Sequence, residues 1–308
     1  MKILTKGAYE RAKTYIQNYG REIDRSLFAF HFEGRDNTEV IDALKAYQNP
    51  DGGFGNALEP DLRTPASSAI ATQRAFDVLR MVNADFQDET IKNAVDYLLE
   101  TFDIENGVWP IIPPEVEDAP HAPWWSYEDS AETFDSFRIN PTAALAGHLH
   151  HYKAIVPSDF LARVTTQVLD ILRGEPDAGM NMHDLYCYLT LADGLDGTEK
   201  RSVLDKLAIV APLSVENDPS KWTEYGLRPL AIAPAPDSPL AYVMDRVAID
   251  ANLDYEIDEQ LEDGSWPVTW TWDFVDEAAW AQAEKDWKGY VTLHKLIVLK
   301  DYCRLELQ

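Results

Sequence analysis

The sequence predicts an all-α protein, and three observations carry that prediction. Apolar residues recur at helical spacing along most of the 308 residues. Runs that alternate in the manner of strands are scarce. A short cassette, Gln-x-x-x-Gly-x-aromatic, stands at Gln48-Asn49-Pro50-Asp51-Gly52-Gly53-Phe54 and again at Gln260-Leu261-Glu262-Asp263-Gly264-Ser265-Trp266. A turn that recurs between helices joins them the same way each time, so it marks a repeat architecture. The whole chain, residues 1–308, is read as one domain.

In chain order, the first cassette runs into Asn56-Ala57-Leu58-Glu59-Pro60-Asp61-Leu62-Arg63-Thr64-Pro65, and Ser67 and Ser68 lead into a helix from about Ala69. Ile91, Val95, Leu98 and Phe102 then fall on one helical face. Asp103-Ile104-Glu105-Asn106-Gly107-Val108-Trp109 repeats the cassette with Asp in place of Gln. In each copy the glycine supplies a positive φ, the aromatic fills the gap between hairpins, and Gln or Asp satisfies free backbone groups.

An irregular segment follows, from about Trp109 to Asn140. It carries five prolines between Pro110 and Pro123, and its aromatics (Trp124, Trp125, Tyr127, Phe134, Phe137) are too many for disorder. An ordered loop over one mouth of the fold is expected. Asn140-Pro141 reads as an N-cap with Pro at the first helical position. Helical faces recur at Leu161, Val164, Val168 and Leu172, at Leu185, Tyr188, Leu189 and Ala192, and at Leu240, Val243, Met244 and Val247. Weaker echoes of the cassette stand near Gly179 and Gly226. Trp266 to Trp272 alternates, but Pro267 makes it an edge ribbon or an extended loop.

Charge limits the partners. Against 27 Lys+Arg stand 53 Asp+Glu, a formal net charge of −26. Such a field repels nucleic acid and anionic membranes, and an anionic substrate would need a locally basic pocket. Cys187 and Cys303 make no disulfide framework, Met1 to Gly7 lacks the apolar run of a signal peptide, and no apolar stretch reaches the ~20 residues of a membrane span. A cytoplasmic protein, monomeric by default, with a small-molecule substrate is expected. No nucleotide-binding or serine-hydrolase motif occurs, and no cofactor is expected.

The cassettes resemble the Gln-Trp repeat of the terpenoid cyclase and protein prenyltransferase superfamily, which includes the squalene–hopene cyclases. The resemblance implies a single α/α toroid of helix hairpins around a central cavity, and an isoprenoid-type substrate. The Asp-x-Asp-Asp acid motif and the Asp-Asp-x-x-Asp metal motif of that superfamily do not occur here. Asp301-Tyr302-Cys303 and His183 resemble the zinc ligands of prenyltransferases, but in reverse order.

Candidate site residues fall in two loops and one ribbon. Glu59, Asp61 and Arg63 sit beside the serine-capped helix start, as tuned acids or as a loop salt bridge. His121, Trp124, Trp125, Tyr127 and Asp129 combine an acid/base with aromatic platforms, or form a plug on the rim. Trp270 and Trp272 are placed on one side of an extended stripe, open to a sugar or polyprene chain. The catalytic set is thus Glu59, Asp61, Arg63, His121 and Asp129; the substrate-binding set is Trp124, Trp125, Tyr127, Trp270 and Trp272. His183 and Cys187, at i and i+4, could hold a metal only with a third ligand, and His148 and His151 share a face; no metal site is expected. An isoprenoid substrate, a glycan for a hydrolase or lyase, and a non-catalytic binding toroid remain as alternative readings.

Overall fold

A computed structural model describes residues 1–127 and 137–307. Among these residues the protein is all-α, with twelve α-helices and no strands, only isolated bridges. The helices are α1 (Lys6–Tyr19), α2 (Glu22–Glu33), α3 (Thr38–Lys45), α4 (Ala69–Met81), α5 (Glu89–Thr101) and α6 (Thr142–His151). After them come α7 (Ser158–Gly174), α8 (Met182–Gly194), α9 (Gly197–Ser214), α10 (Pro229–Ile232), α11 (Arg246–Asp258) and α12 (Glu277–Asp301). The described chain groups into two compact units, one of Met1–Asp36 with Ala208–Gln308, the other Asn37–Leu207.

In the first unit α1 and α2 pack against α12, and α10 packs on α11. The backbone of Leu4 pairs with that of Arg304 and Glu306. The buried Arg304 guanidinium bonds Asp250 and Asp254, each at 2.8 Å. In the second unit α6 is the hub and touches α4, α7 and α8. It crosses α8 at Gly147 and Gly194. A Cβ on Gly147 would stand 2.7 Å from Leu191 Cα, and one on Gly194 would stand 2.8 Å from Gly147 C. Only hydrogen at both positions lets the two backbones come this close.

The cassettes share one set of bonds, and each bond falls on an equivalent residue. Gln48 Nε2 donates to Gly52 O and to Thr90 O, both at 2.9 Å. Gln260 Nε2 donates to Gly264 O at 3.0 Å and to Ala8 O at 2.9 Å. Thr90 and Ala8 each lie in the first turn of a helix, α5 and α1. Gly52 (φ +88) then rests on Asn93 and Gly264 (φ +92) on Arg11, three residues further along the same helices. The aromatic residue's backbone N–H meets a threonine hydroxyl each time: Phe54 to Thr72 at 3.1 Å, Trp109 to Thr142 at 3.4 Å, Trp266 to Thr292 at 3.1 Å. Both indoles also donate to a carbonyl of the preceding helix, Trp109 to Leu98 and Trp266 to Glu256.

In the middle copy Asp103 is too short to reach across. Its carboxylate closes its own turn on the Glu105 and Asn106 N–H groups. Gln167 of α7 fills the vacated role, its Nε2 donating to Gly107 O at 2.7 Å.

Two expectations need correction. Leu240 to Val247 is not one helix: a 3-10 turn spans Ala241–Val243, and the Asp245 side chain accepts the Val247 N–H to start α11 afresh. That cap turns Val247 out to solvent, 75% exposed. Asn140 does not cap α6, which begins at Thr142 with Pro141 at the cap position. The Asn140 side chain is buried instead, with its Oδ1 3.6 Å from Cys187 Sγ on α8.

Candidate functional site

The two loops singled out from sequence lie side by side in the second unit. Leu62 bridges His121, with Arg63 N–H donating to Pro120 O at 3.0 Å and Ala122 N–H to Asp61 O at 2.9 Å. Glu59 and Asp61 are both buried, each 3% exposed. Arg74 of α4 holds Glu59 through a 3.0 Å ion pair, and the Arg63 guanidinium donates to Pro60 O at 3.3 Å. Glu59 thus fastens the loop to α4, while the Arg63 bond lies within the loop.

The His121 loop folds around Glu117, a residue the sequence did not single out. Its carboxylate accepts from Ser126 Oγ at 3.1 Å and from the Tyr127 N–H, and lies 3.7 Å from His121 Nε2. The His121 Nδ1–H donates to Ala119 O at 2.8 Å. Trp124 is exposed. Trp125 is buried against Phe137, at 6.3 Å between ring centres, which suits the plug reading. Asp129 lies outside the described residues.

Tyr127 lines a groove of about 840 Å3, along with Ser67, Ser68, Tyr97, Asp103 and Arg138. Its lining is mixed, with Val108, Pro110, Ile112, Pro113 and Pro114 beside those six.

Trp270 and Trp272 belong to the first unit, and they do not form one open stripe. Trp272 is fully buried, 5.8 Å from the Trp280 ring; it packs because α12 turns Trp280 onto it. Trp270 is partly exposed and belongs to a ring series instead. It meets Tyr225 at 6.3 Å and Trp287 at 5.1 Å, and Trp287 meets Tyr290 at 5.5 Å. Tyr290 then stacks on His294 at 3.8 Å.

The densest chemistry lies between α4, α6 and α8. Asp77 on α4 is part-exposed, and both its oxygens are held. His148 Nε2 on α6 is 2.9 Å from Oδ1, and Gln73 Nε2 donates to Oδ2 at 3.4 Å. His148 is only 3% exposed and stacks on Phe76 at 5.6 Å. Its Nδ1 is buried and has no hydrogen-bond partner. Further along α4, Arg80 meets Asp193 of α8 and His151 of α6.

The first turns of α8 complete the cluster. Asp184 is pushed up to about 6, chiefly by loss of water around it and then by the Glu175 carboxylate. His183 is held below the ordinary imidazole range, first by desolvation and then by Arg74. Burial raises the Cys187 thiol, and the Asp184 and Asp77 carboxylates add to the rise. Thiolate chemistry and metal binding at Cys187 are disfavoured by the same burial. Among the described residues no group of three His, Cys, Asp or Glu could hold a metal ion.

What this arrangement can do is exchange protons. Asp184 titrates close to neutrality, and Asp77 presents a carboxylate fixed from behind by a histidine. Sequence reading missed Asp77 and Arg74. On α4 they fall at the spacing of an ordinary solvated face, and nothing local reveals that α6 and α8 cover that face. No protein-family model matches this chain, and no curated protein matches it.

Proposed function

We propose that this chain is an enzyme of α/α-toroid architecture that acts by acid–base chemistry on a hydroxyl-rich, glycan-type substrate, as a hydrolase or lyase. Two features support the toroid: the cassettes dock with equivalent bonds, and the third one docks on α1, 252 positions back from Gln260. These features also support kinship with the Gln-Trp repeat superfamily. The observation that carries the reaction class is the Asp77–His148 pair, with Asp184 raised to about 6 in the same cluster.

A carboxyl group near its titration point gives and takes protons with little driving force lost, which suits a general acid. Asp77, oriented by His148 and Gln73, serves as its partner on a water or on a sugar hydroxyl. A cation formed from an isoprenoid would be quenched by such carboxylates, so the charged cluster favours a polar substrate. The groove beside Tyr127 is lined in part by Glu105 and Arg138, charged groups that suit a polar ligand.

One observation favours the second reading, an isoprenoid substrate. The ring series Tyr225–Trp270–Trp287–Tyr290–His294 is the kind of surface that shields a carbocation.

The test is turnover. Soluble polysaccharides and oligosaccharides are assayed for new reducing ends and for unsaturated products, with prenyl diphosphates and squalene in parallel. Glycan cleavage is expected, falling ~100-fold or more in Asp77→Asn and in Asp184→Asn, as for loss of an acid or base. Turnover of prenyl substrates alone, or glycan turnover untouched by both substitutions, defeats the proposal.

A further inference from the structure

We propose that Arg138 and Arg163 form a binding site for the oxyanion group of a small ligand, separate from the acid–base cluster. The two guanidiniums line one concavity of about 710 Å3, together with Ala162, Thr166, Gln167 and Asp170. Among the described residues neither arginine has a carboxylate within ion-pair distance.

The geometry is fitted for an anion. The Arg163 guanidinium lies over the Phe102 ring at 5.9 Å and over Phe160 at 5.7 Å. Stacking on two rings restrains the side chain and leaves the edge N–H groups free to bond, so little rotamer freedom remains to be lost on binding. Asp170, the carboxylate lining the hollow among the described residues, is already paired with Arg173. Gln167 cannot swing in to compete, because its amide is committed to Gly107 O of the middle cassette.

A guanidinium fork matches the paired oxygens of phosphate, sulfate or carboxylate. The net charge of −26 works against any long-range attraction, so an anion binds here through contact geometry rather than steering. It also excludes nucleic acid as the source of the group. Arg138 lines the neighbouring 840 Å3 groove as well, so a ligand anchored by its anionic end at Arg163 can extend past Arg138 into that groove.

Isothermal titration of the full chain at low ionic strength tests this, with sodium phosphate, sodium sulfate and sodium glucuronate as probes. Saturable binding of at least one is expected. Arg138→Gln and Arg163→Gln should each weaken it about tenfold or more, as for one charge-assisted contact. The double variant should lose it. Arg201→Gln, an exposed arginine outside the hollow, makes the same charge change and should leave binding intact; far-ultraviolet circular dichroism checks that each variant is folded. A preference for phosphate or sulfate assigns a phosphoryl- or sulfo-bearing ligand, and a preference for glucuronate assigns a carboxylated one. The proposal fails if no probe saturates, or if the folded double variant binds as the parent does.

Discussion

Replacing Gly52 by alanine separates the turn from the docking it serves. At φ +88 an alanine pays for the left-handed backbone, ~1–2 kcal/mol. Its methyl would also enter the backbone of α5, 2.8 Å from Asn93 C and nearer still to Asn93 O. Backbone within a helix cannot step aside as a side-chain tip can, and overpacking of this kind costs ~1–3 kcal/mol. Gly179 supplies the control, since it has φ +91 and a methyl added there would meet nothing within 4 Å. Gly179→Ala should therefore show the backbone cost alone. Urea unfolding followed by tryptophan fluorescence reads the difference. With a slope of about 2 kcal/mol/M, the midpoint of Gly52→Ala should lie roughly 1 M below that of Gly179→Ala. Equal midpoints would mean that Gly52 is there for its turn only, and that the cassette does not anchor on α5.

Gln167→Ala should destabilise by about 1 kcal/mol, because it removes the donor that stands in for the missing glutamine of the middle cassette; thermal unfolding against Gln87→Ala, an exposed glutamine outside the cassettes, measures it. Asp184 gives a pH signature. Its folded-state value of about 6 lies above the ordinary value of 3.8, so folding favours the protonated form. Its ionisation therefore costs stability fully above about pH 6, and the cost disappears as pH falls toward 4. Asp184→Asn should be more stable than the parent at pH 7 and lose that advantage near pH 4. A constant difference across that range in unfolding free energy would refute the assignment.

The scaffold was legible in the sequence because its determinants are local. Gln48, Gly52 and Phe54 lie within seven residues, and the bonds they make inside the cassette depend on little else. The helix over residues 89–101 showed itself through Ile91, Val95 and Leu98, all buried. The site was less legible because its contacts are distant. Asp77 and His148 are 71 positions apart, and the raised Asp184 depends on what covers α8. Glu59 and Asp61 drew notice by their proline-bounded loop, yet position alone cannot distinguish an acid that meets a ligand from one that meets Arg74. Gln167 was hidden for a related reason: a side chain from α7 does a job that the pattern assigns to position 103.

The docking of the third cassette on α1 sets an order of events during synthesis. Gln48 needs only 42 further residues before its partner carbonyl on Thr90 exists. Ala8 waits 252 residues for Gln260. As the chain leaves the ribosome, the cassette in residues 48–54 can close on its helix early, while the first turn of α1 stays without its clamp until Gln260 is made. Helix α1 is thus locked long after it is made. A substitution at Gln260 should then show itself in the yield of finished chains as well as in their stability.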